Sequence, residues 1–440
     1  MQLSEKFLYH IWDAQHLKDE LQTVSGKNLK IMFQGSWNTN AGADFKNAVL
    51  QIDGEVVRGD IEAHRKTYDW NSHKHHENSN FNTVILHIVF EHNGKYSYTI
   101  NENGDRIEIL EIRNYLDQEV AKLSERYREK KFVSKEKFCT FFGGLDQETL
   151  ELFLQKMGKN RLEKKIKRFS AELYFSDFNQ LLYQGIFEAL GYSKNKFQML
   201  QIALNFPYSD LKEFYKNAMT KDELISIWLG SSDLINHLPA SFPTEYKNKW
   251  KEIYSTQNHS TKPVELDWNL FRIRPVNNAG IRIIQISDLI YTNLDLSLFN
   301  SMLKLFSAKR GQHDLKELYQ RLYSFFQIDS EYLPENYKIG KTRIDTIFIN
   351  IVLPLTILYA RKMSYPELES AALYYSENFK GLQGNYIIDR MSDFMNEEQR
   401  KLIRKKAIFQ QGILKLYFDS CIHHNCNSCE IFKRKLLEEM

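Results

Sequence analysis

Cysteine is scarce in this chain. Four residues in 440, Cys139, Cys421, Cys426 and Cys429, are too few to staple a fold of this length. A disulfide framework is therefore excluded, and the thiols are read as reduced, in the cytoplasm. Long apolar runs are missing too. The longest, residues 344–360, is interrupted by Asp345, Asn350 and Pro354 and falls short of the roughly 20 residues that cross a bilayer. It reads as a buried helix, and no membrane partner is expected. The first residues, MQLSEKFLYHIW, have no basic stretch followed by an apolar one, which argues against a signal peptide. The net charge is only +3, so nucleic acid is not announced by charge unless the basic residues gather on one face. Neither an internal repeat nor a low-complexity segment is present.

What is present is ordinary for a globular protein: 42% hydrophobic and 26% charged residues, with length for roughly two to four domains. Phe7, Leu8, Ile11, Trp12 and Leu17 recur at helical spacing over residues 3–21. Strands are predicted at 29–33, 45–52, 55–66, 83–90, 96–100 and 106–112. Asp53-Gly54 supplies a hairpin turn between the second and third of these. The run TVILHIVF reads as a central strand buried on both faces, and residues 73–82 as a polar loop. A charged helix follows at 115–132. From Leu145 onward the pattern is helix after helix with little Pro or Gly, including a basic run at 159–168 and a last helix at 397–417. The expected fold class is α+β: a mixed sheet with a covering helix over residues 1–132, then a mainly helical region over 133–440.

Chemistry concentrates in residues 38–92, which hold six of the 13 histidines. Asp44 and Glu62 lie on the two arms of the predicted hairpin. With the carbonyl of Ala63 they could hold Mg2+ or Mn2+, and such an ion activates water for phosphodiester cleavage. Glu62 and His64 are two apart and share one face of a strand, so His64 could assist the water or ligate the metal. A strict two-residue turn at Asp53-Gly54 pairs Ile52 with Glu55 and puts Asp44 on the face opposite Glu62 and His64. The two-acid site therefore requires an irregularity, a longer turn or a bulge at Gly59. His73 and His75 or His76, with Asp69, are further candidate ligands from the loop, and imidazole suits zinc and manganese-like ions. His87 inside the apolar strand reads as a hydrogen-bonded core histidine that could also face the site.

Two other groups stand out. Cys421, Cys426 and Cys429 lie within nine residues and read as ligands of zinc or an iron–sulfur cluster. Cys139 is the natural fourth ligand, His423 or His424 the alternative, and a structural clasp is expected. Arg272, Arg274 and Arg282, with the basic run at 159–168, could contact nucleic-acid phosphates through guanidinium forks. Ion pairs and solvated helix faces account for the 159–168 run as well.

The hairpin arrangement, Ala43-Asp44 and then Glu62-Ala63-His64, resembles the restriction-endonuclease-like nuclease superfamily, with Ala43 in place of its Pro and His64 in place of its Lys. More broadly, AGADFKNA, GDIEAHRKTYDW, TVILHIVFEH, FRIRPVNNAGIRI, SENFKG and the terminal Cys-x4-Cys-x2-Cys together resemble the bacterial domain of unknown function 2851 family over essentially the whole chain. That likeness implies a shared architecture and supplies no activity. Its members often carry Pro where Ala43 stands. Departures at Asn278-Ala279-Gly280 and Phe432 concern loop details. The resulting expectation is a metal-dependent hydrolase, most simply a nuclease acting on DNA or RNA. The alternatives are a non-catalytic nucleic-acid or protein-binding module on a decayed nuclease-like core, and a hydrolase of another substrate built on the histidines.

Overall fold

The structure, a computed structural model, describes residues 4–38, 41–126, 144–256, 266–306, 313–423 and 429. Helix α1 (Glu5–Ala14) opens on Ser4, whose side chain accepts from the Phe7 amide, as an N-cap hydroxyl does. It ends at Gln15, which takes the left-handed conformation with φ 56°. The helix is thus shorter than the predicted 3–21, and Leu17 instead bridges to Leu116. The strands follow in order as β1 (Leu21–Gln22), β2 (Asn28–Phe33), β3 (Ser36–Trp37), β4 (Phe45–Ile52), β5 (Glu55–Lys66), β6 (Val84–Glu91), β7 (Tyr98–Ile100) and β8 (Arg106–Glu111). A short helix, α2 (Asp69–Ser72), and two 3-10 turns connect β5 to β6, and α3 (Val120–Arg126) follows β8.

The sheet runs β1-β2-β4-β5-β6-β8-β7, with β3 paired to β4. β6 is parallel to both β5 and β8, and the other pairs are antiparallel. One face carries Phe45, Leu50, Ile61, Ala63, Leu86, Ile88 and Leu110, which pack against Phe7, Leu8, Ile11 and Trp12 of α1. The other face is covered by the β5–β6 connection, where Trp70 and Phe81 pack with Ala43, Val84 and Ile107. Most of the polar loop expected at 73–82 is exposed, but His75 and Phe81 within it are buried. A Cβ at Gly59 would stand 2.5 Å from the Thr83 carbonyl, so only glycine lets β6 start this close to β5.

The remainder is helical, which makes the fold α+β as expected. The expected domain boundary at 132/133 lies outside the described residues. Helix α4 (Gln147–Glu172) runs from the helical core onto the sheet, where Ala171 meets Phe33 and Val49. The ion pairs Lys164–Asp13 and Arg58–Glu172, each 2.9 Å, tie it down. Helix α5 (Phe178–Leu190) and the helix Ala279–Asn293 belong to the largest core. The run Lys341–Lys362 is long and apolar enough to cross a membrane, but 78% of its most apolar window is buried inside the fold. Its middle, Phe348–Val352, is a π-helical turn just before Pro354. A widened turn accommodates the proline ring and its missing amide. The predicted last helix is two, Glu397–Lys405 and Ala407–Asp419, because extended Lys406 bridges to Lys380.

Candidate metal centre

The turn between β4 and β5 is strict: Ile52 pairs with Glu55, and Asp53 and Gly54 both have positive φ. The irregularity that the two-acid site requires is nonetheless present, on the other strand and further from the turn. Ala48 faces Gly59 but Phe45 faces Ile61, so one extra residue of β4 is absorbed between them. Asn47 takes it up with φ 57°, a conformation that Asn tolerates well. Asp60 holds this bulge together. Its carboxylate accepts from the Asn47 amide at 3.1 Å, from Lys46 Nζ at 2.7 Å and from Thr83 Oγ1 at 2.5 Å. Beyond the bulge the side-chain alternation of β4 is reversed, and Asp44 comes to the face that carries Glu62 and His64.

Asp44 and Glu62 then lock one another. The Asp44 amide donates to Glu62 Oε2 at 3.1 Å, and the Ala63 amide donates to Asp44 Oδ2 at 3.0 Å. Each carboxylate keeps one oxygen outside this pairing. Glu62 Oε1 faces the histidines, 3.2 Å from His75 Nε2 and 3.5 Å from His64 Nε2. Burial and the neighbouring Glu62 charge push the Asp44 carboxyl up to about 7. Burial pushes Glu62 up to about 8, against the hydrogen bond from the Asp44 amide. Both shifts are those of acids crowded together out of water.

Three imidazoles meet one another here, two of them against Glu62. His64 Nε2 lies 3.1 Å from His73 Nδ1 and 3.3 Å from His75 Nε2, and the three nitrogens lie within 4.8 Å of one another. Ligands about 2.0–2.1 Å from a tetrahedral zinc ion stand roughly 3.3 Å apart, so these separations suit one ion. His73 and His75 reach the same point because Lys74 between them is left-handed, with φ 60°. On the other side of the His64 ring, Nδ1 lies 2.9 Å from Nε2 of the fully buried His87. Such a contact sets the tautomer and aim of a ligating histidine. Burial, then the neighbouring imidazoles, push His64 down to about 2, and burial lowers His75 and takes His87 down to about 3. All three are thus neutral, the form in which imidazole ligates. A neutral His64 has a single ring proton to share among His73, His75, His87 and Glu62, whereas a cation would satisfy the converging lone pairs together.

Trp70 and Phe81 wall the centre, with ring centroids 5.3 and 3.7 Å from that of His75. His73 is the exposed member and marks the way in. Tyr9 of α1 hydrogen-bonds Asp44, and burial and that carboxylate raise its hydroxyl pKa. Asp69 does not join the group, because its carboxylate caps the Lys66 amide at 3.0 Å. His76 faces Glu77 instead, at 3.3 Å.

Sequence reasoning reached Asp44, Glu62, His64, His73 and His75, and weighed His87. It missed Asp60 and Tyr9, whose contacts come from strands and a helix distant along the chain. Only the dipeptide Gly59-Asp60 at the expected irregularity hinted at the first.

The other predicted groups lie elsewhere. Arg272 and Arg274 are exposed. Arg282 is 3% exposed and donates to Gln285, Asn277 and the Tyr192 hydroxyl, so it is not on one surface with them. Cys429 is buried beside α4 and the helix Ala407–Asp419, with Cys421 packed against the same core. Cys139 and Cys426 lie outside the described residues. The family model described as protein of unknown function, DUF2851, matches residues 5–382. No curated protein and no solved structure matches the chain.

Proposed function

The chain belongs to that family, whose description assigns no activity, and from its centre we propose that it is a metal-dependent hydrolase. The observation that carries this reading is the meeting of His64 Nε2, His73 Nδ1 and His75 Nε2, with Glu62 Oε1 against His75 and His64 and the Asp44 carboxyl beside it. Three converging imidazole nitrogens favour zinc, then manganese, over the magnesium that two acids alone would suit. An ion held there would polarise a water and a substrate oxygen.

The protein's own groups supply the rest. Asp44, locked beside Glu62 on the face of the histidines, would take a proton from that water. His87 fixes the His64 ring, and the Trp70 and Phe81 rings keep bulk water from the inner side. The substrate class we put forward is the phosphodiester of DNA or RNA. Its support is the nuclease-like hairpin of Asp44, Glu62 and His64, with a bulge that gives the two acids a common face. A cytoplasmic location is part of the same proposal. The second reading, a binding module without turnover, is favoured by one observation: the position that carries Lys in such nucleases is filled by a buried imidazole.

Metal analysis of purified protein, together with hydrolysis of single- and double-stranded substrates under Zn2+, Mn2+ and Mg2+, separates the readings. The expected result is about one transition-metal ion per chain and metal-dependent cleavage. Asp44→Asn should keep the ion and lower turnover by about a hundred- to ten-thousandfold. Absence of turnover under any ion leaves the binding module, and no metal uptake ends the hydrolase reading.

A further inference from the structure

A second polar site lies between the sheet and the helical region. It is a cavity of about 360 Å³, lined in part by Phe33, Phe169 and Tyr192. Its walls carry six cations, Arg161, Lys164, Lys165, Arg168, Lys196 and Arg343, and one acid, Glu188. Residues 161, 164, 165 and 168 are spaced to fall on one face of α4. Glu188 pairs with Arg168 at 2.9 Å and Asp13 with Lys164 at 2.9 Å. Among the described residues, Arg161, Lys165, Lys196 and Arg343 have no carboxylate within ion-pair distance.

Their partners are neutral instead. Lys165 Nζ donates to Asn350 Oδ1 at 2.6 Å and to Gln411 Oε1 at 2.8 Å, and Arg161 Nε donates to that same Gln411 oxygen at 3.0 Å. Two like charges are thus tied to one amide oxygen. Arg343 donates to the Ala189 carbonyl at 3.2 Å, and its central guanidinium carbon lies over the Tyr192 ring, 3.4 Å from the centroid. The ring holds the guanidinium at the cavity wall without neutralising its charge. Burial, with Arg161 beside it, holds the Lys165 ammonium well below its usual range. Gathering unneutralised cations in a recess is unfavourable unless an anion completes it.

We propose that this cavity binds a phosphate monoester of mononucleotide size. The arginines supply the planar forks, and Lys165 and Lys196 the point charges, that a dianionic phosphoryl group takes. The volume is that of a small-molecule site and exceeds one phosphate group. Phe33 and Phe169 in the lining suit an apolar organic part attached to it. From the sequence, the run 159–168 is better read as ion pairs and solvated helix faces, and Lys159 does pair with Glu377. The inward face of the same helix is what that reading could not separate. The proposal goes beyond the hydrolase reading and does not depend on it.

Calorimetric titration of the full chain in the presence of a chelator keeps any ion at the histidine centre out of the measurement. The probes are inorganic phosphate, adenosine monophosphate, adenosine, and a short oligonucleotide with and without a 5′-phosphate. Adenosine monophosphate should bind saturably at millimolar concentration or below and adenosine should not, with the affinity at least about tenfold lower in Lys165→Gln and Arg343→Gln. Lys196→Ala, on a different helix from the buried α4 network, should weaken binding in the same direction and serves if the other variants fail to fold. Competition by the 5′-phosphorylated oligonucleotide would identify a nucleic-acid end as the source of the phosphate, and its failure a free mononucleotide. Absence of saturable binding of inorganic phosphate, adenosine monophosphate and the phosphorylated oligonucleotide would overturn the proposal, as would unchanged affinity in all three variants.

Discussion

The histidine centre on β5 and the cavity beside α4 both hold ionisable groups away from bulk water, with opposite sign. At the centre, two carboxyls are raised by burial and imidazole nitrogens converge on each other. At the cavity, cations converge and amide oxygens stand where carboxylates would ordinarily neutralise them. Helix α1 touches both: Tyr9 bonds Asp44, and Asp13, one turn or about 6 Å along the axis, pairs with Lys164. The contrast teaches that these polar groups are arranged for ligands of opposite charge, since neither set is satisfied by protein groups alone.

The sharpest way to break the comparison is to take out the atom on which the centre converges. His64→Ala removes the nitrogen shared by His73, His75 and Glu62 and strands the buried His87 Nε2. Excess Zn2+, at about a thousand times its Kd, should stabilise the wild type by about 4 kcal/mol and this variant hardly at all. The cavity and the lost hydrogen bond should cost a further 2–4 kcal/mol or so without metal. Denaturant unfolding with and without Zn2+ measures both, and equal stabilisation of the two proteins would remove His64 from the ligand set.

A second change separates register from charge. Asp60→Ala leaves every proposed ligand in place but cuts the three bonds that hold the bulge. Breaking a buried ion pair with these extra bonds should cost about 3 kcal/mol. If β4 then slips to the register of the turn, Asp44 leaves the face of Glu62. The expected outcome is a protein that still takes up metal on its histidines and has lost the hydrolytic rate. Unchanged turnover would show that the bulge does not position Asp44.

That bulge also shows where the sequence stops being legible. The ends of β4 and β5 could be read to the residue, because the Asp53-Gly54 turn and the flanking alternation are local signals. The shift at Asn47 could not, because it depends on Asp60 reaching Lys46 and Thr83 from another strand. The predicted long first helix failed for a similar reason. Leu17 fits the helical spacing, but Gln15 ends the helix without the glycine that usually marks such a cap. At the centre, the types of residue were visible in residues 62–76 while their aim was not. A left-handed Lys74 turns His75 inward, and nothing in a run of polar residues announces that turn. At the cavity, pairing decided the matter. Lys159, Lys164 and Arg168 find acids at 377, 13 and 188, whereas Arg161 and Lys165 find amides, and no local pattern distinguishes the two kinds.

The smallest expected effect lies on the cationic side. Burial lowers the Lys165 pKa in the fold below its ordinary 10.5, so folding favours the neutral amine. The sign follows from that direction. At pH values below the lowered pKa the ammonium is destabilising, and the penalty is relieved as the pH rises toward 10.5. Of the other charged groups around the cavity, Arg161, Lys164, Arg168, Lys196, Arg343 and Glu188, the adjacent Arg161 adds to that lowering. Lys165→Met, of similar length and apolar, should therefore leave stability at neutral pH unchanged or raise it by about 1 kcal/mol. It should also flatten the rise on the alkaline side, as read by denaturant midpoints across the pH range. Adenosine monophosphate should restore the advantage of the wild-type lysine, because the ammonium is then opposite a phosphate. A loss of several kcal/mol in the variant without ligand would mean that Asn350 and Gln411 already satisfy the charge, and the two sites would then no longer be counterparts.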